Sequence, residues 1–255
     1  MNRHFDKKRT TSRLLLFLMI TIQDLAILRS EISTVDIVGL VTAMKEHLKS
    51  SAVFLICGSG TCNIRVAELL KRLSMAEVSA TVLNPNDVIP YIEDYWELIN
   101  KPLKVFLSTD TDTQRTLRQV FKVINTKSLT WLLLPEDDEM SVDDFLEGTY
   151  IPFDSEFLVG QVSGPLVHLT EVYRTAEGEP LSREYFGNWS LQGGPLHVES
   201  RARKKRTDFQ GIILRTVVLD VREITIIVEE NNRTTVAGGY FGMVWRLLEQ
   251  ELNFT

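Results

Sequence analysis

The sequence predicts an α/β protein whose first part is a doubly wound sheet. Three observations carry that reading. Short unbroken apolar runs are bounded by turn residues, the stretches between them repeat apolar residues at helical spacing, and the two alternate from Ser33 to Leu134. An unbroken apolar run is the mark of a strand covered on both faces. Strands alternating with helices make βαβ units, hence a mostly parallel sheet with helices on both sides.

The elements follow in chain order. Ser33–Asp36 reads as a helix cap, and Ile37, Leu40, Val41, Met44 and Leu48 form the inner stripe of the first helix. AVFLIC (52–57) is the first strand. Gly58 and Gly60 turn the chain into a helix with Val66, Leu69, Leu70 and Leu73 on one face. VSATVL (78–83) is strand-like, and Pro90 suits the first turn of a helix carrying Ile92, Tyr95, Trp96 and Ile99. LKVFLS (103–108) is the third strand, Leu117, Val120, Phe121 and Ile124 stripe the next helix, and LTWLLL (129–134) is the fourth strand.

Beyond Pro135 the pattern loosens into alternating strands, SEFLVGQV (155–162) and LVHLTEVYR (166–174). Loop material with Gly187, Gly193, Gly194 and Pro195 comes next, then the basic run RARKKR (201–206). A strand from Gly211 to Leu219, apolar alternation around Ile224–Val228 and a terminal amphipathic helix complete the chain. That helix carries Val244, Leu247, Leu248 and Leu252 and is entered through a glycine turn at Gly238.

The ends and the linker suggest a division. Arg3, Lys7, Lys8, Arg9 and Arg13 precede an apolar run from Leu14 to Ile22, the proportions of a secretory signal, and that run is shorter than the ~20 residues needed to cross a bilayer. Residues 1–26 therefore read as a signal peptide, with a buried N-terminal helix of a cytosolic protein as the competing reading. Residues 27–200 are an amino-terminal α/β domain, 201–207 a basic linker, and 208–255 the start of a second unit. In that unit Val217, Val218, Ile224, Ile226, Ile227 and the helix stripe have too few partner elements to cover them.

Composition narrows function more by exclusion. The chain has 255 residues, 44% of them apolar and 24% charged, which is ordinary globular make-up. A net charge of −6 gives no general basic field for nucleic acid. Two cysteines are too few for a disulfide scaffold or a four-cysteine zinc site. CGSGTC (57–62) puts glycines between strand and helix, but the third glycine of the dinucleotide fingerprint is missing and no Gly-Lys-Ser/Thr follows. Across that turn Cys57 and Cys62 can close a disulfide or remain two small buried thiols.

PEDDEMSVDD (135–144) is acidic without the glycine a calcium loop needs, and Ser141 with Asp144 reads as a helix cap. His4, His47, His168 and His197 stand apart, and no nucleophile–base–acid set can be assembled. The sequence thus assigns no catalytic residue, no metal ligand and no cofactor, and the chain does not read as an enzyme. Asn188, Asn232 and Asn253 open N-x-Ser/Thr triplets, which with the N-terminal signal favour an extracellular glycoprotein.

Two segments carry a resemblance. DFQGIILRTVVL (208–219) after the basic run, with Phe209, Gly211, Leu214 and Arg215 in place, and GGYFGMVWRLLEQELNFT (238–255), with Gly239, Gly242, Leu247, Leu248, Leu252, Asn253, Phe254 and Thr255 in place, resemble the start of the ligand-binding lobe in ionotropic glutamate receptor-like channels. The closer similarity is to arthropod chemosensory ionotropic receptors, and IPFDSEFLVGQ, LTEVYR and FGNWS resemble their amino-terminal region.

The resemblance implies a periplasmic-binding-protein-like amino-terminal domain followed by the first strands and helix of a truncated ligand-binding clamshell. It implies an extracellular N-terminal part of a ligand-gated cation channel for chemosensory detection, with the pore absent from this chain. It also implies co-receptor subunits in a hetero-oligomeric channel and a small acid or amine as ligand. Tyr240 and Met243 would border the cleft, and Met243 stands where relatives often carry an aromatic. The competing functions are a secreted stand-alone α/β ligand-binding protein and a cytosolic nucleotide-dependent enzyme.

Overall fold

The computed structural model describes residues 32–58, 62–95, 101–124, 129–135, 141–191, 194–199, 208–209, 211–214, 217, 219, 221, 224–230 and 233–254. The segments expected to be a signal peptide (1–26) and a basic linker (201–207), and Asn232, lie outside the described residues.

Helix α1 (Thr34–Leu48) begins where the sequence places it: the Asp36 amide donates to the Ser33 hydroxyl at 3.1 Å, and Ile37, Leu40, Val41 and Met44 are buried. In order follow β1 (Val53–Ile56), α2 (Cys62–Met75), β2 (Ala80–Leu83), a 3-10 turn over Pro85–Asp87, α3 (Val88–Tyr95), β3 (Leu103–Phe106), α4 (Thr111–Val123), β4 (Thr130–Leu133) and α5 (Val142–Phe145). Strands β5 (Glu156–Ser163), β6 (Leu166–Tyr173), β7 (Ser182–Ser190) and β8 (Leu196–Val198) come next.

Among the described residues these eight strands form one sheet, ordered β2-β1-β3-β4-β5-β6-β7-β8. Pairing is parallel from β2 to β5 and antiparallel from β5 to β8. Successive side chains along a strand point to opposite faces, and the core divides accordingly. Val53, Leu55, Leu103, Val105, Leu132 and Leu158 pack with α1 and α2. Phe54, Ile56, Phe106, Trp131, Leu133 and Phe157 pack with α3, α4 and α5. Because β1, β3 and β4 are buried along their whole length, their sequences carry no polar alternation.

The sheet extends further than the sequence suggests. The region around Gly187, expected as loop, is strand β7. Gly187 is there because β8 passes close by: a Cβ on it would lie 2.3 Å from the His197 carbonyl oxygen. One extra residue, Phe186, is inserted in β7 opposite the Leu169–Thr170 step, a β-bulge.

The C-terminal region departs too. The strand expected over 211–219 is absent among its described residues: Ile212 makes a single bridge to Phe254, while Ile213, Val217 and Leu219 stand in solvent. A strand needs a partner edge, and no described element offers one there. Instead β9 (Ile226–Glu230) pairs antiparallel with β10 (Arg233–Gly238), a strand the sequence reading passed over, and helix α6 (Gly239–Leu252) follows.

Asp208, Phe209 and Gly211 are strapped to the end of α6. The Phe209 amide donates to the Leu252 carbonyl, the Gly211 amide to the Asn253 carbonyl, both at 2.7 Å, and the Asn253 side-chain amide donates to Asp208 at 2.8 Å. A run of rings joins this region to the large sheet: Tyr173 to Phe153 (5.4 Å between centroids), Phe153 to Phe209 (4.6 Å), Phe209 to Phe254 (6.1 Å) and Phe254 to Trp245 (5.1 Å). No helix among the described residues is long and apolar enough to cross a membrane.

Candidate functional site

In open α/β sheets ligands bind beyond the carboxyl ends of the strands, where the order reverses; here that place lies between β1 and β3. Gly58 leaves β1 and its amide donates to the Ser108 hydroxyl at 3.4 Å, while Ser108 and Thr113 share a hydroxyl–hydroxyl bond of 2.8 Å. Asp110 caps α4 by accepting from the Thr113 amide at 2.7 Å. Its other carboxylate oxygen stands over Gly58, only 2.0 Å from where a Cβ would be. A phosphate loop needs free N–H donors and no competing anion. Here the Asp110 carboxylate stands beside the Gly58 backbone.

A cavity beside this point is lined by Ile32, Ile37, Arg65, Val66, Leu107, Leu134 and Pro135. Its volume is about 10 Å³, room for about one water and far below the ~300 Å³ of a small-molecule site. The Arg65 guanidinium is turned onto the Ile32 carbonyl and ties the entry of α1 to α2. Cys57, buried at the end of β1, is disulfide-bonded. The sequence has one other cysteine, Cys62.

The residues expected at a ligand cleft lie elsewhere. Tyr240 and Met243 sit on α6, 64% and 65% exposed, and do not line the cavity just described. They share a stripe with Leu247 and Leu248, and Ile224, Ile226 and Val228 are also open to solvent. This apolar surface is uncovered among the described residues. Asn188 lies in β7 with its side-chain amide donating to the Tyr185 hydroxyl at 2.9 Å, and Asn253 is the left-handed cap that ends α6.

Sequence reasoning missed one group. Lys104 on β3 is 1% exposed, its Nζ lies 5.5 Å from the Trp131 ring centre, and it has no hydrogen-bond partner among the described residues. Burial, with the nearby positive charge of Lys101 adding to it, pulls its pKa from the ordinary 10.5 to about 7. The signal was present: a lysine inside a strand buried on both faces has no water within reach of its ammonium. Among the described residues no three His, Cys, Asp or Glu side chains converge as a metal site would require.

Residues 44–219, well over half the chain, match a family model described as Ionotropic receptor 75a N-terminal. No curated protein matches the chain. The matched span runs from Met44, near the end of α1, through the whole large sheet.

Proposed function

The chain belongs to the ionotropic receptor N-terminal family, and from that premise we propose that it is the extracellular amino-terminal part of a ligand-gated cation channel that detects small molecules in chemosensation. The family match carries the reading. The α/β sheet with helices on both faces supports it, since a periplasmic-binding-protein-like domain is built this way. On this reading 208–255 begins a ligand-binding clamshell, and the uncovered stripe of α6 is the face on which the remaining lobe packs. Tyr240 and Met243 then stand at the mouth of the cleft.

The ligand is a small acid or amine, and the channel assembles with co-receptor subunits. Ligand closure of the clamshell would act by favouring one of two preexisting states, to the extent of its differential affinity. Residues 1–26 are removed as a signal peptide, and Cys57 pairs with Cys62 in the oxidising lumen.

A second reading, a secreted stand-alone α/β ligand-binding protein, has one observation in its favour: Phe209, itself against Phe254, already packs on Phe153 in the turn that precedes β5. Sequencing the transcript past the Thr255 codon separates the two. The channel reading expects apolar segments of membrane-spanning length downstream; a stop codon at that point would leave the secreted binder.

A further inference from the structure

The large sheet has a polar row on the face turned away from α1. Gln161 on β5 lies opposite His168 on β6, His168 opposite Asn188 on β7, and Asn188 opposite His197 on β8. Directly paired residues of antiparallel strands project to the same side, so the four share one face. Their flanking neighbours Val162, Val167, Trp189, Leu196 and Val198 belong to the core cluster under α1. Gln161, His168 and Asn188 are half-buried, and His197 is exposed.

The bulge at Phe186 shapes this face. In a regular strand residues three apart point to opposite sides; the inserted residue brings Tyr185 back beside Asn188, where the two side chains bond at 2.9 Å. Tyr185 is 48% exposed, a half-open aromatic plate next to the amide. Ser190, two residues on, completes the Asn-Trp-Ser triplet on the same side.

We propose that Asn188 carries an N-linked glycan that lies over this face of β6–β8 and screens it from protein contact. The proposal rests on the extracellular reading above. Attachment takes a lipid-linked diphosphate oligosaccharide as donor: the bond from asparagine Nδ2 to sugar C1 forms, the bond from C1 to the phosphate oxygen breaks, one Nδ2 proton is lost, and the lipid diphosphate leaves. Asparagine Nδ2 bears two hydrogens, so the remaining one still donates to the Tyr185 hydroxyl and the bond that orients the side chain survives. The first sugar then sits over the Tyr185 ring with His168 and His197 on either side, and subunits must meet the domain through another surface.

The test uses the full chain secreted from a eukaryotic host, cleaved with peptide-N-glycosidase and mapped by mass spectrometry, with histidine reactivity toward diethyl pyrocarbonate as second readout. Expected results are conversion of Asn188 to Asp, loss of that conversion in Ser190→Ala, and several-fold slower modification of His168 and His197 in the glycosylated protein than after enzymatic deglycosylation of the folded protein. That last comparison needs no substitution. Conversion at Asn232 or Asn253 with Asn188 untouched would overturn the proposal and leave the extracellular reading standing. No conversion at any of the three in the secreted chain would overturn the proposal alone, retention of the chain in the cytosol would overturn the extracellular reading with it, and equal histidine reactivity with Asn188 occupied would overturn the screening.

Discussion

At the scale of single residues, Lys104 is the group whose environment contradicts its chemistry. It lies on the α3–α4 face of the sheet, with Phe54 on one side and Trp131 on the other in register. The unfolded chain keeps a proton on it up to about 10.5, the folded chain only to about 7. Over that interval the unfolded state binds more protons, so folding gains as pH rises; below it the full burial penalty applies. Lys104→Met is therefore expected to be more stable than the parent at pH 6, on the order of 2 kcal/mol, and the gap should close toward pH 10.5. Urea unfolding at a series of pH values measures this. Gly39 makes an opposite case, where a small residue is obligatory. A Cβ on it would stand 2.8 Å from the ring of Trp189, itself buried on β7. Alanine would gain about 1 kcal/mol of helix propensity but collide with a ring that cannot retreat, at a cost of about 1–3 kcal/mol. We expect Gly39→Ala to lower the thermal midpoint, readable by circular dichroism.

At the scale of elements, the connection from β4 to β5 depends on distant side chains. Helix α5 has four residues, too short to satisfy its own last carbonyls. Gln114 donates to the Phe145 carbonyl at 2.6 Å, Arg118 to that of Glu147 at 2.7 Å, and Arg174 to those of Leu146 (3.3 Å), Thr149 (3.1 Å) and Glu179. Arg118→Ala and Arg174→Ala are each expected to cost about 1–3 kcal/mol, seen as a lower denaturant midpoint with unchanged slope. These three partners could not be read from the sequence, because nothing local marks which carbonyls a side chain will reach. Elements set by local rules were legible: the Ser33 and Ser141 caps and the fully buried strands β1, β3 and β4 follow from their own residues. Strand β7 was not, because FGNWS carries the Gly and Asn that punctuate loops, and only the close passage of β8 explains the glycine. The placing of Tyr240 and Met243 at a cleft rests on motif alone, since a cleft is made by elements distant in the chain.

At the scale of the whole molecule, the path from the large sheet to α6 runs through Phe153, Phe209 and Phe254. Offset or tilted ring pairs contribute about 0.5–1.5 kcal/mol each beyond burial. Phe209→Ala should therefore raise amide exchange across α6 and leave β1–β5 as protected as before, measured by hydrogen exchange with mass spectrometry. A uniform loss over both regions would show instead that they open as one unit. The mixed pairing of the sheet has a kinetic corollary. Strands β5 and β6 are joined by two residues, with Gly164 in the left-handed region at φ 59°, and their contacts close loops of a few residues. The parallel strands meet across long detours; Gly58 and Ser108 touch at a separation of 50 residues. Short loops close first, so we expect folding to begin at the β5–β6 hairpin in the middle of the chain and add strands back toward the N-terminus. Substitutions in β5 and β6 should then slow the refolding limb of a chevron plot, while those in β1 and β2 should speed the unfolding limb.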